Sequence, residues 1–308
     1  MLAKILSYAL DGLTGYAVDV EIDIYSRLPG YDRVGLASTA TKESKERVRS
    51  AIKNSGFQYP AKRITVNLAP ADTKKEGPTF DLPVALGIMA ATGQIESKAY
   101  KQYVIVGELS LDGELRHVNG IMPLLISAMQ AGHKKFIIPK ANATEASFIE
   151  GIDVYALDNL GDVVDMLSGV VFDKVPTSTY ESSCVSHGYG VDFADVKGQS
   201  VAKRALEIAV AGGHNALMIG PPGAGKTMLA KCVPTIMPEM SFEEAVEVTK
   251  IHSVAGILDG EVGIVTTRPF RTPHHTTTVP ALIGGGAKAR PGEVSLANHG
   301  VLFLDEMP

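Results

Sequence analysis

One octapeptide limits the possible folds more than any other part of the chain. GPPGAGKT, from Gly220 to Thr227, matches G-x-x-x-x-G-K-[ST] at every specified position, between the apolar run NALMIG and the helix-forming run MLAKCV. That context predicts a strand, a phosphate-binding loop and a helix in an α/β nucleotide-binding fold. Gly223 and Gly225 allow the backbone to curl so that successive N–H groups face a β-phosphate, and the following helix adds its positive end. Lys226 is expected to reach the β- and γ-phosphates, and the Thr227 hydroxyl to ligate Mg2+. The expected ATP-binding set is Gly220, Pro221, Pro222, Gly223, Ala224, Gly225, Lys226, Thr227 and Met228.

About eighty residues later the sequence VLFLDEMP runs four apolar residues into Asp305 and Glu306. A buried strand ending in a carboxylate beside a phosphate loop places Asp305 to hold Mg2+, directly or through water, and Glu306 to orient or deprotonate the attacking water. Lys226 and Glu306 are thus the expected catalytic residues, and Thr227 and Asp305 the metal ligands.

Upstream, AVDVEIDIYS alternates Val18, Val20, Ile22 and Ile24 with Asp19, Glu21 and Asp23, as in a strand with one wet face. RITVNLAP repeats the pattern, and TKESKERVRSAIKNSG between them is a helix that stops at Gly56. A second helix is expected to begin at Asp81, acting as N-cap for LPVALGIMAATG. YVIVGEL, KFIIP and DVYAL read as short strands separated by the helices MPLLISAMQAG and ATEASFIEG, with LGDVVDMLSG closing the unit near Gly169. Residues 170–190 lose periodicity and read as a linker. After it come the helix QSVAKRALEIAVAGG, the buried strand NALMIG and the buried strand VLFLDE. The expected organisation is therefore α/β domains at 1–169 and 191–308, which suits 308 residues.

Cys184 and Cys232 are the only cysteines and form no ligand pattern, which points to a reducing cytoplasm and away from structural zinc. No apolar run is long enough for a membrane span. The formal net charge is −5 and neither half is a polycation, so nucleic-acid contact would need a local basic patch. Two such patches occur. Lys42, Lys45, Arg47, Arg49 and Lys53 fall on the first helix. Arg268, Arg271, Lys288 and Arg290 lie beside Gly284, Gly285 and Gly286, in a stretch free of acids between Glu261 and Glu293. The neighbouring His274 and His275 point in different directions and are not expected to bind metal.

DVKGQSVAKRALEIAVAGGHNALMIGPPGAGKTMLAKCVPTIMP, RPFRTPHHTTTVPALIGGG and PGEVSLANHGVLFLDE together closely resemble the ComM/YifB family of magnesium-chelatase-like AAA+ ATPases. The opening GYAVDVEIDIYSRLPGYDRVGLASTATKESKERVRSAI resembles the same family, so the likeness covers essentially the whole chain. It implies a hexameric ATP-driven motor on single-stranded or branched DNA, a branch-migration helicase of recombination or natural transformation. Magnesium chelatases use the same module to insert a metal into a porphyrin, and an ATP-controlled assembly or chaperone module is a third reading. The N-terminal part resembles the Lon proteolytic domain, which implies a ribosomal S5 domain 2-like α/β fold. By that resemblance Thr79, in GPTF, stands at the nucleophile position, and Leu124, in NGIMPL, stands where the lysine base belongs, so peptidase activity is not expected. The resemblance also implies a sensor, an arginine finger and a lid after the second ATP motif. The AAA+ domain is therefore expected to be incomplete, a C-terminally truncated piece whose hydrolysis is weak.

Overall fold

The computed structural model describes residues 2–34, 40–70, 77–96, 98–183, 189–286 and 289–305. The chain divides into two compact units, 1–178 with 259–263, and 179–258 with 264–308.

In unit 1, β1 (Leu2–Asp11) and β2 (Thr14–Tyr25) form an antiparallel hairpin. β3 (Gly30–Val34) leads into α1 (Ala40–Asn54), and β4 (Arg63–Ala69) returns between β2 and β3, giving the order β1-β2-β4-β3. β2 pairs with β4 antiparallel, with Ile22 opposite Val66, while β3 runs parallel to β4. The period-2 alternation is realised as expected: Val18, Val20 and Ile22 are wholly buried on one face, with Asp19, Glu21 and Asp23 on the other. That face is covered by α2 (Asp81–Ala91) and by α3 (Ile121–Gln130). α2 lies so close to the sheet that a Cβ on Gly87 would sit 2.5 Å from Ile22 Cγ1. Between the two helices lie the two-residue strands β5 (Val104–Ile105), β6 (Glu108–Leu109) and β7 (Leu115–Arg116). Beyond α3 follow β8 (Lys135–Pro139), α4 (Ala143–Ala146), β9 (Asp153–Leu157) and α5 (Leu160–Leu167). β5, β8 and β9 make a parallel three-stranded sheet. Residues 170–178 are held on this unit, with Val175 N–H donating to Val154 O and Ser178 N–H to Ser147 O.

Two helix starts or lengths differ from the sequence reading. Asp81 is the first residue of α2, not its cap. A 3-10 turn at Pro78–Phe80 precedes it, and the Asp81 carboxylate is directed instead to Ser44 and Arg47 of α1. ATEASFIEG is helical only over Ala143–Ala146, because a 3-10 turn at Lys140–Asn142 takes up the approach and Phe148 and Ile149 pack inward.

Unit 2 holds α6 (Tyr180–Ser183), α7 (Ser200–Gly212), α8 (Lys226–Cys232) and α9 (Phe242–Ala255). β10 (Phe270–Arg271), α10 (Val279–Ile283), β11 (Gly284–Gly285), β12 (Arg290–Pro291), α11 (Glu293–Leu296) and β13 (Val301–Leu302) complete it. A capping box between Ser241 and Glu244 starts α9, and Gly256 in the left-handed region ends it. A core of Phe193, Val196, Leu206, Leu229, Cys232 and Val233 joins α7 to α8.

The two expected buried strands of this unit are corrected. Residues 215–220 form no strand: Met218 packs on the α7–α8 core, while Leu217 is 83% and Ile219 90% exposed. In VLFLDE the described residues 301–305 form a strand only at Val301–Leu302, paired parallel with β10, and they are half-buried or exposed. A ladder forms only where a second strand offers its N–H and C=O row. Among the described residues none pairs with 215–220.

Candidate functional site

The loop from Gly220 to Gly225 is shaped by its glycines. Gly223 (φ 78°) and Gly225 (φ 82°) occupy the left-handed region that a side chain disfavours, and Gly225 is the N-cap of α8. Ala224 N–H closes a turn on Pro221 O at 3.3 Å. The first intrahelical bond of α8 runs from Leu229 N–H to Gly225 O, so the N–H groups of Lys226, Thr227 and Met228 are first-turn donors without intrahelical acceptors. Leu229, Ala230 and Cys232 bury the opposite face, which fixes the helix beneath the loop.

Gly220, Pro221, Pro222 and Gly223 are exposed, as are Thr227 and Met228, while Ala224, Gly225 and Lys226 are half-buried. The Lys226 ammonium reaches back across the loop mouth, donating to Gly220 O at 2.8 Å and Pro221 O at 3.1 Å. Left-handed glycines, free first-turn donors and an ammonium over the loop make a cradle that fits a polyphosphate. Sequence pattern does not single out Gln199, whose Nε2 donates to Ala224 O at 3.3 Å from a left-handed backbone (φ 54°) before α7. A non-glycine in that region is the only local sign of a special position.

Asp305 is exposed just after β13, and Glu306 lies outside the described residues. β13 pairs with β10, and 215–220 does not join that ladder, so among the described residues no shared sheet brings the phosphate loop and Asp305 together. Among the described residues no group of three or more His, Cys, Asp or Glu is arranged to hold a metal. His274 and His275 do not point apart as expected: their rings lie side by side with centroids 4.1 Å apart and planes tilted by 32°, and His274 Nδ1 engages Thr276 Oγ1.

The basic patches are largely spent within the fold. Arg268 is buried and donates to the carbonyls of Pro238, Glu239 and His299 and to Glu244. Arg271 grips Glu293 with two bonds of 2.7 and 2.8 Å. Arg290 is exposed on β12, and Lys288 lies outside the described residues. On α1, Lys45 sits over the Tyr31 ring, Arg49 over the Tyr59 ring, and Arg47 pairs with Asp81. Lys53 is exposed, and the Lys42 side chain is outside the described residues. Thr79 is half-buried, its carbonyl accepting from Gly107 N–H, and Leu124 is packed in the interior at 2% exposure.

Comparison with known families finds the profile of magnesium chelatase subunit ChlI over residues 192–308 and a second profile of the same subunit over residues 20–142. The chain is 46% identical over 313 residues to competence protein ComM of Haemophilus influenzae, covering all of this chain and 60% of the relative. It is 45% identical over 297 residues to protein YifB of Escherichia coli, covering 96% of this chain and 58% of the relative. The chain belongs to the ComM/YifB family of magnesium-chelatase-like AAA+ proteins. It spans about three fifths of the length of these ComM/YifB relatives. Within the family frame, 40% of the chain is also 30% identical over 125 residues to Lon protease 2 of Bacillus subtilis, covering 22% of that protein. The mixed α/β elements of the two units agree with a Lon-like fold and a P-loop fold. No described helix is long and apolar enough to cross a membrane.

Proposed function

We propose that this chain is the ATP-binding portion of a ComM/YifB-type motor that works on DNA in the cytoplasm, as a hexamer, in recombination or transformation. The observation that carries the proposal is the cradle of Gly220 to Met228, in a chain similar to competence protein ComM along its whole length. In this reading residues 1–169 are a Lon-like domain, 170–190 a linker and 191–308 the AAA+ domain.

ATP supplies the phosphoanhydride whose hydrolysis drives movement, with Mg2+ as its counter-ion. The N–H groups of the loop and of the first turn of α8 hold the phosphates, and the Lys226 ammonium exchanges its two carbonyl acceptors for phosphate oxygens. Thr227 and Asp305 would hold the metal once the phosphate loop and Asp305 are drawn together around it, and Glu306 would orient the attacking water. Arg290, exposed on the β11–β12 hairpin, is the described basic residue of that stretch left to face DNA.

Mg-ATP turnover with and without four-way-junction DNA tests the proposal, with Lys226→Ala as the blank. Junction-stimulated turnover that vanishes in the blank is the expected result. Lysine-dependent turnover indifferent to DNA would favour the chelatase reading, which the two ChlI profiles support. ATP-dependent oligomers with negligible turnover would mark an assembly or chaperone module.

No peptidase step is proposed for unit 1. Leu124 carries no amine and is packed in the interior, so the position where the Lon resemblance puts the lysine supplies no base. Cleavage of an unfolded protein that disappears in Thr79→Ala would overturn this.

A further inference from the structure

Where the edge strand β1 lies against the C-terminal end of α2, small residues leave a space that no side chain fills. Ala3 of β1 and Ala90 of α2 line the same hollow. α2 stops just beyond, at Thr92, and Gly93 follows in the left-handed region (φ 78°). A Cβ on Gly93 would meet nothing within 4 Å. The hollow is a cavity of about 540 Å³, within the roughly 300–1,000 Å³ of small-ligand clefts.

Its inner walls are apolar and fixed. Ala3, Ile95 and Tyr100 line it and belong to the core of unit 1, and Ala90 packs against that core. Its charge is one-sided: Lys4, Lys98 and Lys101 line it against Glu96 alone. Asp19 already takes Lys4 at 2.8 Å, which leaves Lys98 and Lys101. These two flank a 3-10 turn (Ala99–Gln102), where Lys101 N–H donates to Lys98 O at 3.1 Å. Residues three apart in such a turn eclipse one another, so both side chains leave it on one side. Both lysines are exposed, and among the described residues neither ammonium has an ion-pair partner.

We propose that this cavity of unit 1 binds a small organic carboxylate, with an apolar body against Ala3, Ala90, Ile95 and Tyr100 and the carboxylate at the mouth between Lys98 and Lys101. An inorganic anion would leave the apolar walls wet, and an uncharged apolar molecule would leave the two ammonium groups without a counter-ion. The lining described holds no guanidinium fork and no cradle of helix-start N–H groups, the devices that hold a phosphate. Glu96 on the same lining repels a second negative charge, which favours a monoanion. The site lies outside the loop at 220–227 and does not depend on the ATP reading.

The test is octanoate titrated into the full chain, followed by the amide signals of β1, Ile95, Tyr100 and Lys101. Octanol supplies the body without the charge, and acetate the charge without the body. Octanoate is expected to shift these amides to saturation, octanol to bind several-fold more weakly, and acetate to leave them in place. Lys98→Gln together with Lys101→Gln is expected to weaken octanoate by about three- to ten-fold, as loss of two partly solvated ion pairs does. The same double variant should keep its octanol affinity and its thermal midpoint, because neither ammonium has an internal partner to lose. Ala90→Leu fills the cavity and is expected to abolish binding of both ligands. Should Ala90→Leu fail to fold, the lysine variant decides alone. Three results would each overturn the site: no saturable shift with octanoate, a shift that survives Ala90→Leu, or an octanoate affinity unchanged by loss of both lysines.

Discussion

Arg47 Nε lies 2.8 Å from Asp81 Oδ2, and that carboxylate has no solvent exposure at all. With Ser44 on the other oxygen, the pair locks α1 to α2 through a charge that burial alone would expel. Burial pushes the Asp81 carboxyl above its ordinary 3.8, although both hydrogen bonds pull it down. Arg47→Ala is therefore expected to cost about 3 kcal/mol, and Ser44→Ala about 1–2 kcal/mol. Asp81→Asn in the Arg47→Ala background should recover most of that loss, because the stranded charge is gone. Urea-dependent hydrogen exchange at α1 and α2 amides reads both effects, and an equal loss in the single and double variants would refute the account.

Arg268 illustrates the same physics with backbone acceptors. Its side chain, 9% exposed, gathers Pro238, Glu239 and His299 carbonyls and the Glu244 carboxylate, tying the segment before β10 to α9 and to the turn before β13. Arg268→Ala is expected to destabilise unit 2 by about 3–5 kcal/mol. Arg268→Lys should rescue little, since three protons on one nitrogen cannot span the fork that five guanidinium N–H groups span. Thermal melting checks this, and Arg268→Lys melting with its parent would show that charge alone suffices.

These two arginines also mark the limit of what the sequence made legible. The alternation around Val20 and Val66 shows because one sheet face is wet, and the bend at Gly223 and Gly225 shows because it is local. Asp81 looks like a helix cap in sequence, but its partner lies 34 residues away. Arg268 looks like a free surface cation, but its acceptors are carbonyls about thirty residues off in either direction. The runs before Gly220 and Asp305 read as buried strands because Ala216 to Ile219 and Val301 to Leu304 are all apolar. Burial, however, is supplied by neighbouring strands, and no pattern within a run of six encodes whether a neighbour pairs there.

Ser7 offers the converse of Ser44. It is wholly buried in β1, and among the described residues its hydroxyl has no hydrogen-bond partner. Ser7→Ala removes a desolvated polar group without stranding another. It is expected to leave stability unchanged or to raise it by about 1 kcal/mol, judged from the same hydrogen-exchange measurement. A loss comparable to that of Ser44→Ala would mean that the Ser7 hydroxyl is satisfied after all.

The Arg271–Glu293 pair predicts how unit 2 responds to acid. Both carboxylate oxygens accept from the guanidinium, which joins the start of α11 to β10. Arg271 holds the Glu293 carboxyl below its ordinary 4.5. The folded state thus binds fewer protons than the unfolded one below that value. The stabilisation is fully present above about pH 4.5 and is lost as pH falls through the depressed folded value. Glu243, Glu244 and Glu247 are lowered as well and act in the same direction, whereas raised Asp81 makes unit 1 gain as the pH falls towards 3.8. Hydrogen exchange between about pH 5 and pH 3 should therefore show unit 2 amides losing protection before those of α1 and α2. Because the pair is partly solvated, Glu293→Gln is expected to cost only about 1 kcal/mol near neutrality. It should also flatten part of the acid slope of α11 and β10. An unaltered slope in Glu293→Gln would assign that acid response to the three glutamates of α9 instead.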